Sequence, residues 1–274
     1  MRGLACYTCC HRSADFYIAM KTPTTKKHRK GGFTLIELMV VIAILASLAA
    51  IGYGPIIDHM NDGERQKANS NLKSVFTMLQ QFKMDNGAFP CDATADRLQE
   101  ENPDNDFGEL KGNNSNAYFR QLFYKNGVES EKPFFAKVSI STLNVAKEGD
   151  DKIANGQALR AGENAMSYVL RRDPMGENMK IAVNKSNVPL ALCSVYPSKT
   201  PYSGDKVVFD MASFRGHMFV LSSDGSVSDR GDDLVESETG EDMGELKKDK
   251  QLFPENKRGR STAQDHLVLT PESL

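Results

Sequence analysis

The residues best placed to do chemistry lie together near the amino terminus, in the run Lys30-Gly31-Gly32-Phe33-Thr34-Leu35-Ile36-Glu37. Gly31 and Gly32 have no side chains, so this backbone can extend into a protease cleft without steric cost. Lys26, Lys27, Arg29 and Lys30, with His28 among them, precede the glycines. An apolar run then extends from Phe33 to Ile57 and carries one charge, Glu37, near its start. About 20 apolar residues cross a bilayer core, and positive charge beside such a span holds that end in the cytoplasm. A carboxylate in lipid is costly, which marks Glu37 as a functional candidate.

This arrangement resembles the processing and methylation motif of type IV prepilins and type II secretion pseudopilins. The resemblance implies cleavage after Gly32 by a membrane peptidase, methylation of Phe33 as the new amino terminus, and retention of Glu37 for assembly. It implies that the amine of a neighbouring subunit neutralises Glu37 and sets the axial register. A secretory signal peptide is excluded, because its cut falls after the apolar stretch and here the cut precedes it.

The elements that must position these residues follow from periodicity. The apolar run continues as a helix over 34–85, interrupted at Gly52, Gly54 and Pro55, where a proline removes a hydrogen bond and kinks the axis. Beyond it Leu72, Val75, Phe76, Leu79 and Phe82 fall on one helical face. Asn86-Gly87 and Pro90 stop the helix. Asn86-Gly87-Ala88-Phe89-Pro90 also resembles a turn of the major pseudopilins. Residues 91–115, rich in Asp, Asn and Glu, read as a surface loop. Ser115 caps a short helix carrying Tyr118, Phe119, Leu122 and Phe123, which ends near Asn126-Gly127.

From Lys132 the period is two: Phe134, Ala136, Val138 and Ile140 predict a half-buried strand. Residues 167–171 and 179–183 flank Asp173-Pro174-Met175-Gly176 and predict a hairpin. Residues 188–196 and 206–209 are further strands. Residues 217–221 lead into Asp224-Gly225, a strong hairpin signal. Residues 229–274 are mostly charged and predict a loosely packed or disordered tail, on which Leu267-Val268-Leu269 could still dock.

The division is therefore a leader over 1–32, a transmembrane half-helix over 33–57, an amphipathic half-helix over 58–85, a head over 86–228 and the tail. Starting at Met20 makes a compact basic leader and leaves 1–19 as a mis-called start. The fold class is α+β and pilin-like: a long helix packed on an antiparallel sheet. The leader's seven basic residues against one acidic turn a chain charge of −2 into −8 for the remainder. Such an exterior argues against nucleic-acid binding, which wants a basic patch.

Cys6, Cys9 and Cys10 lie in the leader, where His11 is one residue too late for the haem-attachment pattern. Cys91 and Cys193 remain, either bridged on the oxidising side of the membrane or packed as small apolar side chains. Asp104, Asp106 and Glu109 resemble a calcium loop, but Gly108 stands where the third ligand should be and the terminal Glu is missing. Asp224, Asp229, Asp232 and Asp233 form the late acidic cluster that a calcium-binding pseudopilin would use; the other reading is a solvated loop. His59, His217 and His266 are scattered, and no nucleophile elbow, phosphate loop or zinc helix is present.

The resemblance thus implies a structural subunit with no enzymatic activity and no cofactor. It sits in the bacterial inner membrane with its amino terminus inside and its head outside. Its partners are prepilin peptidase, other pilin-like subunits and the inner-membrane assembly platform. The rival reading is a membrane-anchored extracytoplasmic binding protein that shares the motif and never polymerises.

Overall fold

A computed structural model describes residues 33–104, 108–124, 128–138, 158–175, 179–185, 187–204, 206–238, 242–255 and 262–272. Gly32, Asp106, Asn126, Gly127, Ile140 and Gly176 lie outside these residues, as does the proposed leader. By internal contacts the chain forms two units, 1–51 and 52–274.

Helix α1 (Leu35–Asn86) spans 52 residues, the single long helix expected over 34–85, with Gly52, Gly54 and Pro55 inside it. A proline deletes one N–H, and the turns on either side can carry the helix past that gap. In the second unit Leu72, Val75, Leu79 and Phe82 are buried, with Ala68 one turn earlier. Each such large side chain contributes roughly 1.5–3 kcal/mol on burial. Asn71 Nδ2 donates to Phe135 O at 2.7 Å, and Lys83 Nζ lies 4.6 Å from the Phe89 ring centroid. Gly87 ends the helix with φ +78 and donates its N–H to Lys83 O at 2.8 Å.

The loop expected over 91–115 begins with helix α2 (Asp92–Glu101), with Leu98 and Ala95 buried. Asp92 is itself nearly buried, its carboxylate accepting from Tyr118 Oη at 2.7 Å and Lys180 N at 2.8 Å. Burial, followed by Asp92, pushes the Tyr118 phenol far above its usual range. Helix α3 (Ser115–Arg120) continues as a 3-10 turn over Gln121–Phe123. Asn114 caps it, accepting from Ala117 N at 3.0 Å, while Ser115 Oγ donates to Met166 O at 2.7 Å.

The strand expected over 134–140 is absent among the described residues. Lys132–Phe134 is a 3-10 turn, followed by backbone with no ladder. The alternation was legible, since Phe134, Ala136 and Val138 are buried and Lys137 is exposed, but no neighbouring strand pairs with it.

The main sheet is antiparallel. Its strands are β1 (Ser167–Arg172), β2 (Lys180–Ile181), β3 (Pro189–Cys193), β4 (Tyr202–Ser203), β6 (Phe219–Ser222), β7 (Val227–Asp229) and β10 (His266–Leu269). The order is β4-β10-β1-β3-β6-β7, with β2 also on β1. The β1–β2 hairpin closes with Asp173 N donating to Met179 O at 3.1 Å. The β6–β7 hairpin turns at Gly225, φ +89, a conformation that favours glycine. A second sheet, β5-β9-β8, joins β5 (Phe209–Asp210), β9 (Met243–Leu246) and β8 (Leu234–Glu236).

The tail therefore needs correction. Residues 229–274 supply β8, β9 and β10, and β10 lies inside the main sheet, paired with β1 from Tyr168↔Leu269 to Arg171↔His266. Leu267, Val268 and Leu269 are buried, three apolar residues inside a segment whose average is polar. Hydrogen bonds hold the following residues: Ser115 N donates to Thr270 O at 2.9 Å, and Glu272 N donates to the side-chain Oδ1 of Asn116 at 3.1 Å. Asn164 Nδ2 reaches Ser115 Oγ, Asn116 Oδ1 and Met166 O, so the buried polar junction at these chain crossings is well paired.

Candidate processing and assembly segment

In the first unit, Thr34 and Glu37 close a reciprocal helix cap. Thr34 N and Thr34 Oγ1 each donate to Glu37 Oε2 at 2.8 Å, and Glu37 N donates to Thr34 Oγ1 at 3.3 Å. This is a capping box, in which the residue before the helix and the third helical residue satisfy each other's free amides. The Thr-x-x-Glu spacing before an apolar run is its sequence signature, and reading Glu37 for assembly alone missed it. Leu38 N donates to Thr34 O at 3.2 Å and starts the helical ladder.

One carboxylate oxygen is thus taken by Thr34. Oε1 has no hydrogen-bond partner among the described residues, so the group can still accept from an amine brought to it. Phe33 is 80% exposed. Every residue from Phe33 to Ala50 is exposed, including Leu35, Ile36, Leu38, Met39, Ile42 and Leu45. An apolar surface of this extent calls for a cover. Among the described residues no helix is long and apolar enough to cross a membrane. The described apolar stretch stops at Ala50, and the side chains of 51–58 lie outside those described.

The other expected sites are scattered over the second unit. Cys91 and Cys193 are free and buried, so no bridge joins them. Cys91 precedes α2, where its backbone N–H meets Thr94 Oγ1 at 2.8 Å. Cys193 sits in β3 opposite Phe219. Burial, with the Asp210 carboxylate adding to it, pushes the Cys193 thiol up to about 12. Both cysteines serve packing.

The late carboxylates point to separate partners. Asp224 Oδ1 accepts from Ser226 Oγ at 2.7 Å and Ser226 N at 2.9 Å, which holds its pKa below the usual carboxylate range. Asp229 meets His217 Nδ1 at 2.8 Å. Burial works against ionised Asp233, yet Arg230 at 2.8 Å and Lys250 at 3.2 Å hold its pKa down. Among the described residues no three His, Cys, Asp or Glu side chains converge on a point fit for a metal. Glu109 contributes a backbone carbonyl to Arg120 NH1 at 3.3 Å.

A basic stretch and a Gly-Gly pair, followed by a capped, exposed apolar helix and an antiparallel sheet, is the arrangement of a pilin-like class of subunit. Residues 27–53 match the model described as the prokaryotic N-terminal methylation motif, and in this segment the chain is similar to prepilins and pseudopilins. It is 40% identical over 63 residues to the type II secretion system core protein G of Pectobacterium carotovorum subsp. carotovorum, covering 23% of this chain and 40% of that protein. The core protein G of Aeromonas hydrophila is 37% identical over 65 residues, 24% of this chain and 46% of the relative. The type IV major pilin protein PilA of Myxococcus xanthus is 43% identical over 54 residues, 20% of this chain and 24% of the relative. The chain thus spans less than half the length of these relatives. No solved structure matches it.

Proposed function

We propose that this protein is a structural subunit of a type II secretion pseudopilus or a type IV pilus. Prepilin peptidase cuts after Gly32, Phe33 is methylated, and the subunit waits in the inner membrane with its head outside. The assembly platform then draws it into a filament through the first half of α1. One observation carries this reading: an apolar helix surface exposed from Phe33 to Ala50, with a half-satisfied Glu37 at its start. Lipid covers such a surface before assembly, and the helices of sister subunits cover it afterwards. An amine from a neighbour then completes the Glu37 carboxylate, which is stronger in an apolar setting than in water.

Intact-mass measurement of the membrane form, paired with microscopy of sheared cell-surface material, tests both halves. A mass beginning at methylated Phe33, and filaments that label for this chain, are the expected results. A retained leader overturns the processing step. A processed subunit that never enters filaments favours the anchored binding protein instead.

A further inference from the structure

Strand β9, the segment after it and the segment between β4 and β5 enclose a cleft of about 560 Å³ in the second unit. Its floor is apolar, with Leu252 and Phe253 buried, and Lys206, Lys247, Lys248 and Lys250 stand on its walls. Lys250 is paired with Asp233, and Lys247 Nζ donates to Asp232 O at 2.5 Å. Lys206 and Lys248 are exposed, and their side-chain amines hold no partner among the described residues. Among the described residues one carboxylate lines the wall, Glu245, which accepts from Ser237 Oγ at 2.7 Å.

Charge is segregated to match. Among the described residues the cleft is lined by four lysines and one carboxylate, whereas residues 92–104 hold five acidic residues against one basic. At the end of α2, Glu100 and Asp104 are exposed and unpaired among the described residues. No residue of α2 lines the cleft. Copies of an acidic chain repel one another unless their charges are arranged to meet. We infer that the lysine-walled cleft receives the acidic α2 end, residues 96–104, of a second copy of this chain. The two patches differ, so the contact is head-to-tail and propagates from copy to copy instead of closing a dimer. This inference rests on the polymerising reading and supplies that polymer with a head contact.

The test uses the full chain in membranes of the producing cell. Gln99→Cys and Gln251→Cys, placed in one chain, should give an oxidant-dependent ladder of cross-linked multimers. Adding Lys206→Glu and Lys248→Glu should cut the ladder about tenfold, as reversed charges across an interface oppose docking. Further adding Glu100→Lys and Asp104→Lys should restore it, which a merely misfolded variant cannot do. Filaments without a ladder, or a ladder indifferent to charge reversal, overturn the inference and leave polymerisation standing. A charge-sensitive ladder without filaments keeps the head contact and sinks the filament reading. Absence of both overturns both. Capture of a DNA duplex by the unaltered cleft, lost in Lys206→Glu and Lys248→Glu with no ladder formed, would assign the cleft to nucleic acid and overturn the inference.

Discussion

Gly225 presses its backbone against the ring of Phe76: a Cβ atom at Gly225 would lie 2.5 Å from Phe76 Cε1. The turn of the β6–β7 hairpin is thereby seated on the outer half of α1. Gly225→Ala adds both a clash and a strained positive φ, and should cost about 1–3 kcal/mol. Urea denaturation would report it. Pairing it with Phe76→Ala should recover part of the loss, a non-additivity that only residues in contact show.

Glu37 caps α1, and substitution can separate that role from the one proposed for it in assembly. Glu37→Gln preserves a side chain able to complete the capping box but removes the charge. Glu37→Ala removes both. If the charge serves assembly, both variants should be processed and membrane-inserted, and both should be poor in filaments by quantitative immunoblot of sheared material. Filament yield near normal in Glu37→Gln and low in Glu37→Ala would instead assign Glu37 to helix capping.

His266 makes the head sensitive to acid. Its ring is buried and stacked on Phe253 at 4.5 Å between centroids. Nδ1 meets Thr262 O at 2.7 Å, and Nε2 has no partner among the described residues. Burial lowers its pKa below the usual 6.5, with Arg171 and Lys185 also lowering and Thr262 and Asp265 opposing. The folded chain then binds fewer protons here than the unfolded chain. The stability from neutral His266 is present above pH 6.5 and is lost as pH falls through the lowered folded value. Thermal melts between pH 7.5 and pH 5 should show this slope, and His266→Gln should flatten it.

The two buried thiols should resist alkylation in the native head and react once it is unfolded. Processed protein purified without reductant should yield two free thiols in denaturant. Its melting temperature should be unmoved by added reductant. A reductant-dependent fall would show that a bridge stabilises the fold after all.

Removal of residues 266–274 tests the corrected tail. The deletion takes β10 from between β1 and β4 and exposes their apolar faces and unpaired backbone. The truncated chain should be degraded or insoluble, detected by pulse-chase of the membrane fraction. A loose polar tail would have been removed without effect.

Local patterns determined much of this protein. The Gly-Gly pair, the apolar run and Glu37 are contiguous, so the resemblance they carry was legible without folding. The face Leu72, Val75, Leu79 and Phe82 follows from helical spacing, and the two hairpins at Asp173-Pro174 and Asp224-Gly225 follow from turn chemistry that acts over a few residues. The Thr34–Glu37 cap was equally local and readable from its spacing. Tertiary structure decided what depends on distant partners. Phe134, Ala136 and Val138 alternate like a strand, yet a strand exists only where another backbone supplies hydrogen bonds. His266–Leu269 is too short to stand out from its charged surroundings, yet it became an inner strand because β1 offered it a ladder and a core. Cys91 and Cys193 could have met or not, and the chain placed one before a helix and the other in a central strand. The lysine cleft, too, exists only because the segment between β4 and β5 and the segment after β9 are brought together across the fold.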